Sequence, residues 1–523
     1  MTALSDNGSH GYHDTSVGDC LFCSSRRRWR HLTTAFYIVA FLWLVAVILL
    51  RVVDRPTAIV NRDHLVKDYR DVFEAFNAHK MIFGGLSSEG DDDVTVGGGS
   101  ALQEVSGKSN LTLSDVDGDL LGRFYFNDAP LLPPSDCGAI LRGDEGALDQ
   151  SKLLGLEFKT KTYEKEREKL KKFDDELSSL AENCEDFLNN RKYFTLTLTA
   201  EERAYPLAYV ITIHRKFSMF ERLLRAIYQP QNIYCVHVDK KSPPEFLQSI
   251  RKLSDCFSNV FVASQLTEVH YSHWSRVEAD LNCLKDLVAR KHEVPWKYVI
   301  NLCGQDFPLK TNLEITRSLK TLHGFNNMET ITPPGHKMNR FKFHFRLPEN
   351  PKHEYVTMEQ TDVTKAPNPL DTPIFVGSAY YVMKRQAVEF ILKDKTVEAF
   401  FEWSKDTYSP DEHVWATLQR NFPRVPGSHP PHAKYDLNEL QSITRLVKWG
   451  GLDTSVYPRC TGHYSRGVCV YGVGDLPWLL EQHHLFANKF DYDVDPYAIE
   501  CLDVWLRNRT LSQTRRYLSM GYL

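Results

Sequence analysis

The chemically densest stretch of the chain is Asp406-Thr407-Tyr408-Ser409-Pro410-Asp411-Glu412-His413. Three carboxylates fall within these eight residues, beside Trp403, Tyr408 and Trp415, whose ring faces are suited to bedding a sugar. A carboxylate in such surroundings can take the proton of a neutral hydroxyl, and Glu412 is the candidate base. The same residues also spell a helix start, with Ser409 at the N-cap, Pro410 at N1 and acids in the first turn. Capping and catalysis both stay open at this level. Other groups able to do chemistry sit just after apolar runs: His214, Asp239 and Cys303-Gly304-Gln305-Asp306.

Those apolar runs define the elements that must position the site. The pattern predicts strands at 207–213, 233–238, 260–263 and 298–302, with helices at 217–228, 244–253 and 277–289 between them. Alternating strands and helices specify an α/β fold with a mainly parallel sheet. Ligands in such folds bind outside the carboxyl ends of the strands, where His214, Asp239 and the 303–306 run fall. Asp239 either bonds a nucleotide or caps the helix after Ser242. No glycine-rich phosphate loop is present, which argues against P-loop enzymes and dehydrogenases. Upstream, 153–190 is charge-dense and reads as a solvated helix on the domain edge. Beyond Phe307 the turn signals Pro333-Pro334-Gly335, Pro367-Asn368-Pro369 and Asp371-Thr372-Pro373 break the pattern. The segment 373–383 reads as an apolar strand interrupted by Gly377-Ser378, in a loop-rich region suited to acceptor recognition.

The chain has 523 residues, 42% hydrophobic and 25% charged, enough for two or three domains and a sizeable core. A net charge of -4 supplies no basic field for nucleic acid. Residues 1–31 form a polar tail ending in Arg26-Arg27-Arg28-Trp29-Arg30, and 32–50 is an uncharged run near the length that spans a bilayer. The arginines place the tail in the cytosol and everything after Arg51 on the luminal side, as a type II signal-anchor. A flexible stem is expected over 51–129 and a catalytic domain over 130–523. Asn110 and Asn508 lie in luminal glycosylation sequons. The run Asp115 to Asp119 resembles the start of a calcium loop but lacks its Gly and Glu. Of 11 cysteines, Cys20 and Cys23 precede the membrane, leaving 11 − 2 = 9 in the lumen. Disulfides are the default there, and the odd count leaves at least one free thiol.

Several stretches closely resemble the β-1,6-N-acetylglucosaminyltransferases that build core 2 and I branches (glycosyltransferase family 14). They are Leu223 to Tyr228, Val236-His237-Val238-Asp239, Ser275 to Cys283, Asn301-Leu302-Cys303-Gly304, Thr407 to His413, Trp415-Ala416-Thr417 and His483 to Phe490, within a match running from about Cys137 to Cys501. The resemblance implies a GT-A-like fold with a Rossmann-like nucleotide-binding half. It implies inverting transfer of N-acetylglucosamine from UDP-N-acetylglucosamine to the 6-hydroxyl of GalNAc in Gal-β1,3-GalNAc O-glycans. By this match Glu412 is the base. Thr212, Ile213, His214, Asp239, Lys240, Lys241 and Tyr271 line the nucleotide-sugar pocket, and Arg466 and Lys489 neutralise the departing diphosphate in place of a metal, so no cofactor is implied. Glu329, Lys337, Arg340, Lys434 and Trp449 match acceptor contacts, while the family's acceptor-side tyrosine falls at Gly451. The Asp-x-Asp run Asp491 to Asp495 is expected to be structural. The family's disulfides pair Cys137 with Cys501, Cys184 with Cys256, Cys235 with Cys283 and Cys460 with Cys469, leaving Cys303 free. The implied setting is the Golgi membrane, with glycoprotein O-glycans as acceptors and a homodimer among the partners. Rival readings are I-branching of poly-N-acetyllactosamine, a xylosyltransferase-like activity, and a membrane-anchored lectin without turnover.

Overall fold

The computed structural model describes residues 121–126, 136–158, 164–348, 357–430, 437–438, 440–452 and 455–519. All belong to the compact unit Lys108–Leu523. The expected cytosolic tail, membrane span, Cys20, Cys23, Asn110 and Lys434 lie outside the described residues. No helix among the described residues is long and apolar enough to cross a membrane.

The four predicted strands are present. β1 (Leu207–Ile213) and β2 (Ile233–Val238) have the predicted bounds, β3 (Val260–Val262) is one residue shorter and β4 (Tyr298–Cys303) one longer. Nine shorter strands follow: β5 (Asp306–Pro308), β6 (Asn327–Met328), β7 (Phe343–Arg346), β8 (Glu359–Thr364), β9 (Tyr381–Lys384), β10 (Arg445–Val447), β11 (His463–Ser465), β12 (Val468–Val470) and β13 (Phe486–Asn488). The main sheet runs β3-β2-β1-β4-β9-β6. Its first four strands are parallel, and β9 is antiparallel to both β4 and β6. A smaller sheet, β10-β13-β5, and the hairpins β7–β8 and β11–β12 complete the architecture.

Both faces of the main sheet are covered, so its central strands are largely apolar on both faces rather than at alternate positions, with Thr212, His237 and Asn301 the polar exceptions. Ala208 and Val210 of β1 enter the core under helix Ser275–Ala289, with Val277, Leu281 and Leu284. Leu207, Tyr209, Ile211 and Ile213 enter the opposite core, with Phe220, Leu223 and Leu224 of helix Phe217–Ile227 and Ile250 and Leu253 of helix Pro244–Asp255. The period of two along the strand makes this division.

Three expectations are corrected. The segment 153–190 is not one solvated helix but parts of three, Glu145–Phe158, Glu164–Leu180 and Cys184–Asn190. Leu177 and Phe187 are buried, and Asn183 caps the third helix by accepting from Asp186 N at 3.3 Å. The expected strand at 373–383 survives only as Tyr381–Lys384, because Val376 pairs with Ile331 in an isolated bridge outside the main sheet. The packed unit also begins before residue 130. Leu121 and Phe124 are buried against Phe194, Leu198 and Leu511 of the C-terminal helix Pro496–Ser519. Arg507 of that helix lies 4.1 Å from the Phe194 ring centroid and 4.8 Å from that of Phe126, a cation–π clasp. Asn508 of the same helix is exposed, as a glycosylation acceptor requires.

All four expected disulfides are formed, 137–501, 184–256, 235–283 and 460–469, and Cys303 is the free thiol. The 137–501 bridge closes a separation of 364 residues, joining the start of the packed unit to its last helix. Because Phe124 fills a closed apolar cluster, Phe124→Ala is expected to cost about 3 kcal/mol. Thermal unfolding of the variant checks this; an unchanged midpoint would assign residues 121–126 no part in the folded unit.

Candidate active site

At the carboxyl edge of the sheet, Thr212 of β1 is level with His237 of β2 and Cys303 of β4. The chain then leaves each strand at one height. Asp239 N donates to Ile213 O at 2.9 Å, and Gly304 N to Thr212 O at 3.2 Å. The open question about Asp239 resolves structurally. Helix Pro244–Asp255 takes no side-chain cap. Asp239 Oδ1 instead accepts from Lys241 N at 2.9 Å and Val269 N at 3.3 Å, tying β2 to the loop that carries Tyr271. Lys241 Nζ lies 3.3 Å from Asp239 Oδ2, and Lys240 N donates to Thr267 O at 3.1 Å.

Arg466 is the tip of the β11–β12 hairpin. Arg466 and Gly467 have φ of 51° and 77°, the two positive values that a tight type I′ turn needs. The Cys460–Cys469 bridge ties β12 of the hairpin to the segment that leads into β11. The Arg466 guanidinium lies 5.0 Å from the Tyr271 ring centroid. Lys489 follows β13, and its backbone exchanges hydrogen bonds with Cys469 O at 3.3 Å and Tyr471 N at 2.9 Å. Burial and then the charges of Arg466 and Arg215 push the Lys489 ammonium below its usual range. Burial and the charge of Arg215 do the same to His214, with Lys241 and Arg466 adding to it and Asp239 opposing. Arg215 and Arg466 thus act electrostatically on both His214 and Lys489.

Glu412 lies at the end of a 3-10 turn, Pro410–Glu412, and the α-helix begins only at Val414. The capping expectation is corrected here. Pro410 does open a helical turn, but Ser409 has φ 48°, a left-handed conformation, and caps nothing with its side chain. Its amide instead donates to Ser272 O at 2.8 Å, locking the turn onto the Tyr271 loop. Asp406 also serves structure: it bonds Lys365 and lies 2.5 Å from His344 Nδ1.

Lys337 Nζ lies 3.2 Å from Glu412 Oε2, and Arg340 bonds the same oxygen. These cations come from the short turns Gly335–Lys337 and Asn339–Lys342. Glu329 approaches through Gly377, whose amide donates to Glu412 O at 2.8 Å. A Cβ at Gly377 would meet Glu329 O at 2.0 Å, so only glycine lets these two segments close on each other. Glu329 is pushed up to about 7 by burial, opposed by Lys337 and by bonds from Ser378, with the Glu412 charge adding to the rise. Asp411 is likewise raised to about 7, by burial and then the Glu412 charge, while Arg276 opposes. Burial and then the charge of Tyr408 raise the Tyr271 hydroxyl, and Arg466, Glu412 and Asp411 all act on it too, so Tyr271 stands between the two halves of the site.

The structure thus brings Glu329, Lys337 and Arg340 to Glu412, and gathers His214, Tyr271 and Lys489 around Arg466. Trp449 is 43% exposed on a segment bridged to Val468 of the Arg466 hairpin, and Gly451 follows with nothing near its Cα that a Cβ would touch. Asp491 and Asp493 are occupied by Lys216, and Asp495 by the amides of Val473 and Ala498. Sequence reasoning missed Arg276 and Asp280, whose 2.6 Å ion pair lies beneath Thr212 and beside Asp411. Both fall inside the Ser275–Cys283 motif, which was the available signal.

The sequence profile of the family described as Core-2/I-Branching enzyme matches residues 207–480. The chain is 47% identical over 386 residues, 72% of its length, to a human protein named beta-1,3-galactosyl-O-glycosyl-glycoprotein beta-1,6-N-acetylglucosaminyltransferase, of which 87% is covered. The chain belongs to the core-2/I-branching enzyme family. A bovine member of the family bearing the same name is 49% identical over 381 residues, covering 72% of this chain and 86% of that protein. A human member named as number 3 of that activity is 46% identical over 396 residues, covering 75% and 87%. The matched span holds every site residue described above except Lys489.

Both raised carboxyls bind more protons folded than unfolded. Their stabilising contribution is therefore present at low pH and lost as pH rises through about 7. Glu329→Gln is expected to flatten the fall in melting temperature between about pH 5 and pH 7.5. Thermal scans across that range test it, and an unaltered slope would show that Glu329 titrates as an ordinary exposed carboxylate.

Proposed function

We propose that this chain builds the core 2 branch, moving N-acetylglucosamine from UDP-N-acetylglucosamine to the 6-hydroxyl of GalNAc in Gal-β1,3-GalNAc O-glycans, with inversion. The printed names of its relatives support the substrate class, and one geometric observation carries the assignment of roles. Lys337 and Arg340 both hold Glu412 by Oε2, and Oε1 accepts no hydrogen bond among the described residues. The carboxylate is therefore gripped on one oxygen and free to act through the other.

In the proposed reaction Glu412 Oε1 takes the proton of the acceptor hydroxyl as its oxygen attacks the anomeric carbon. The bond from that carbon to the diphosphate breaks, and UDP leaves with the electron pair. Arg466 and Lys489 meet the growing negative charge, the task that a metal ion performs elsewhere. Thr212, Ile213, His214, Asp239, Lys240, Lys241 and Tyr271 hold the donor in this reading. Glu329, Lys337, Arg340, Lys434 and Trp449 face the acceptor. The α/β architecture, with helices on both faces of the sheet and cations at the strand ends, fits a GT-A-like enzyme. Four disulfides fit an oxidising compartment, and with the charged tail and apolar run of the sequence they support a type II protein of the Golgi membrane.

Assay of the purified chain with UDP-N-acetylglucosamine is expected to show transfer to Gal-β1,3-GalNAc, little transfer to poly-N-acetyllactosamine, and undiminished rates in EDTA. Transfer to neither acceptor removes the enzyme reading, reversed preference makes I-branching the function, and loss in EDTA removes the metal-free clamp. Glu412→Gln is expected to lower kcat by about 10²–10⁴ while UDP binding persists. A near-normal rate in that variant returns Glu412 to structure alone.

A further inference from the structure

The turn that follows β1, His214-Arg215-Lys216, reaches across to the segment just beyond Lys489. Lys216 has φ 61° and is caged. Its ammonium bonds Asp491, lies 2.6 Å from Asp493 Oδ2, and stands 4.6 Å from the Tyr492 ring centroid. Asp491 is itself fixed, because its Oδ2 accepts from Gln305 Nε2 at 3.0 Å and Phe490 N donates to Gln305 O at 2.8 Å. The Asp-Tyr-Asp run thus clamps the β1 turn against the backbone that carries Lys489. Arg215 lies between the caged lysine and His214. It is exposed, with neither a hydrogen bond nor an ion pair among the described residues.

Three separate elements then bring like charges to bear on the same strand ends: Arg215 after β1, Arg466 on the hairpin tip and Lys489 after β13. The charges of Arg215 and Arg466 both act on His214 and on Lys489. The nearby carboxylates are committed elsewhere, Asp239 to Lys241 and Asp491 with Asp493 to Lys216. Cations converging at the carboxyl ends of parallel strands, with Arg215 exposed among them, describe a site for a polyanion.

We propose that Arg215 is a third cation of the diphosphate site, held beside Lys489 by the cage around Lys216. This rests on the donor reading above. The caged run Asp491 to Asp493 thereby acquires a role in donor binding without touching the donor. Arg215 meets the non-bridging oxygens of the diphosphate from the β1 side, opposite the hairpin that delivers Arg466.

Calorimetric titration of the full-length chain in detergent with UDP tests this. Arg215→Ala is expected to weaken UDP about tenfold, as loss of one charged hydrogen bond does, and Arg215→Lys to recover most of that loss because the charge remains. The thermal midpoint should not move, since Arg215 is exposed. Wild-type UDP affinity in Arg215→Ala, alongside a loss in Arg466→Ala, overturns the inference and leaves the donor reading standing. Absence of UDP binding in the wild type overturns both.

Discussion

The register of three parallel strands is the constraint on which the site depends. Thr212 is level with His237 and with Cys303, so β1, β2 and β4 end together. A slip of one residue would turn every side chain to the opposite face and exchange the two cores. Because Tyr209 and Ile211 fit only the core under helix Phe217–Ile227, and Ala208 and Val210 only the other, the slip is forbidden by packing. The height of His214, Asp239 and Gly304 at the sheet edge is thus decided in the interior.

From that edge two groups of charge form. Glu329, Asp411 and Glu412 collect with Lys337 and Arg340 in one, and Arg466 and Lys489 with Arg215 in the other. Tyr271 feels both groups. What keeps the halves in fixed relation is backbone, not side chains. Ser272 and Ser409 both have positive φ, a conformation that costs about 1–2 kcal/mol in residues other than glycine. They are joined by a hydrogen bond of 2.8 Å from Ser409 N to Ser272 O. The local penalty is spent where the loop of the donor side meets the turn of the base.

This explains which parts of the site were legible in the chain. The strands of the main sheet could be read because burial on both faces leaves continuous apolar runs such as Leu207 to Ile213. Glu412 itself could be found from its carboxylate neighbours and its motif. Its mechanical support could not, because Ser409 before proline and acids looks like an N-cap, and nothing local signals that its amide is wanted by Ser272. The run 373–383 misled for a related reason: Gly377 looks like a flaw in a strand, whereas it is the point where Glu329 and Glu412 come together. Residues 121–126 were assigned to the stem from the composition around them, though Leu121 and Phe124 find their partners almost four hundred residues later, in Leu511.

The cationic cluster beside β1 is built from side chains anchored by a disulfide, an ion-pair cage and a sheet. Such charges stay behind when the reaction is over, unlike an ion that can depart with its ligand. In the reaction proposed above, the attraction that eases departure of the leaving group also opposes its escape, so the fixed cations favour retention of the spent nucleotide.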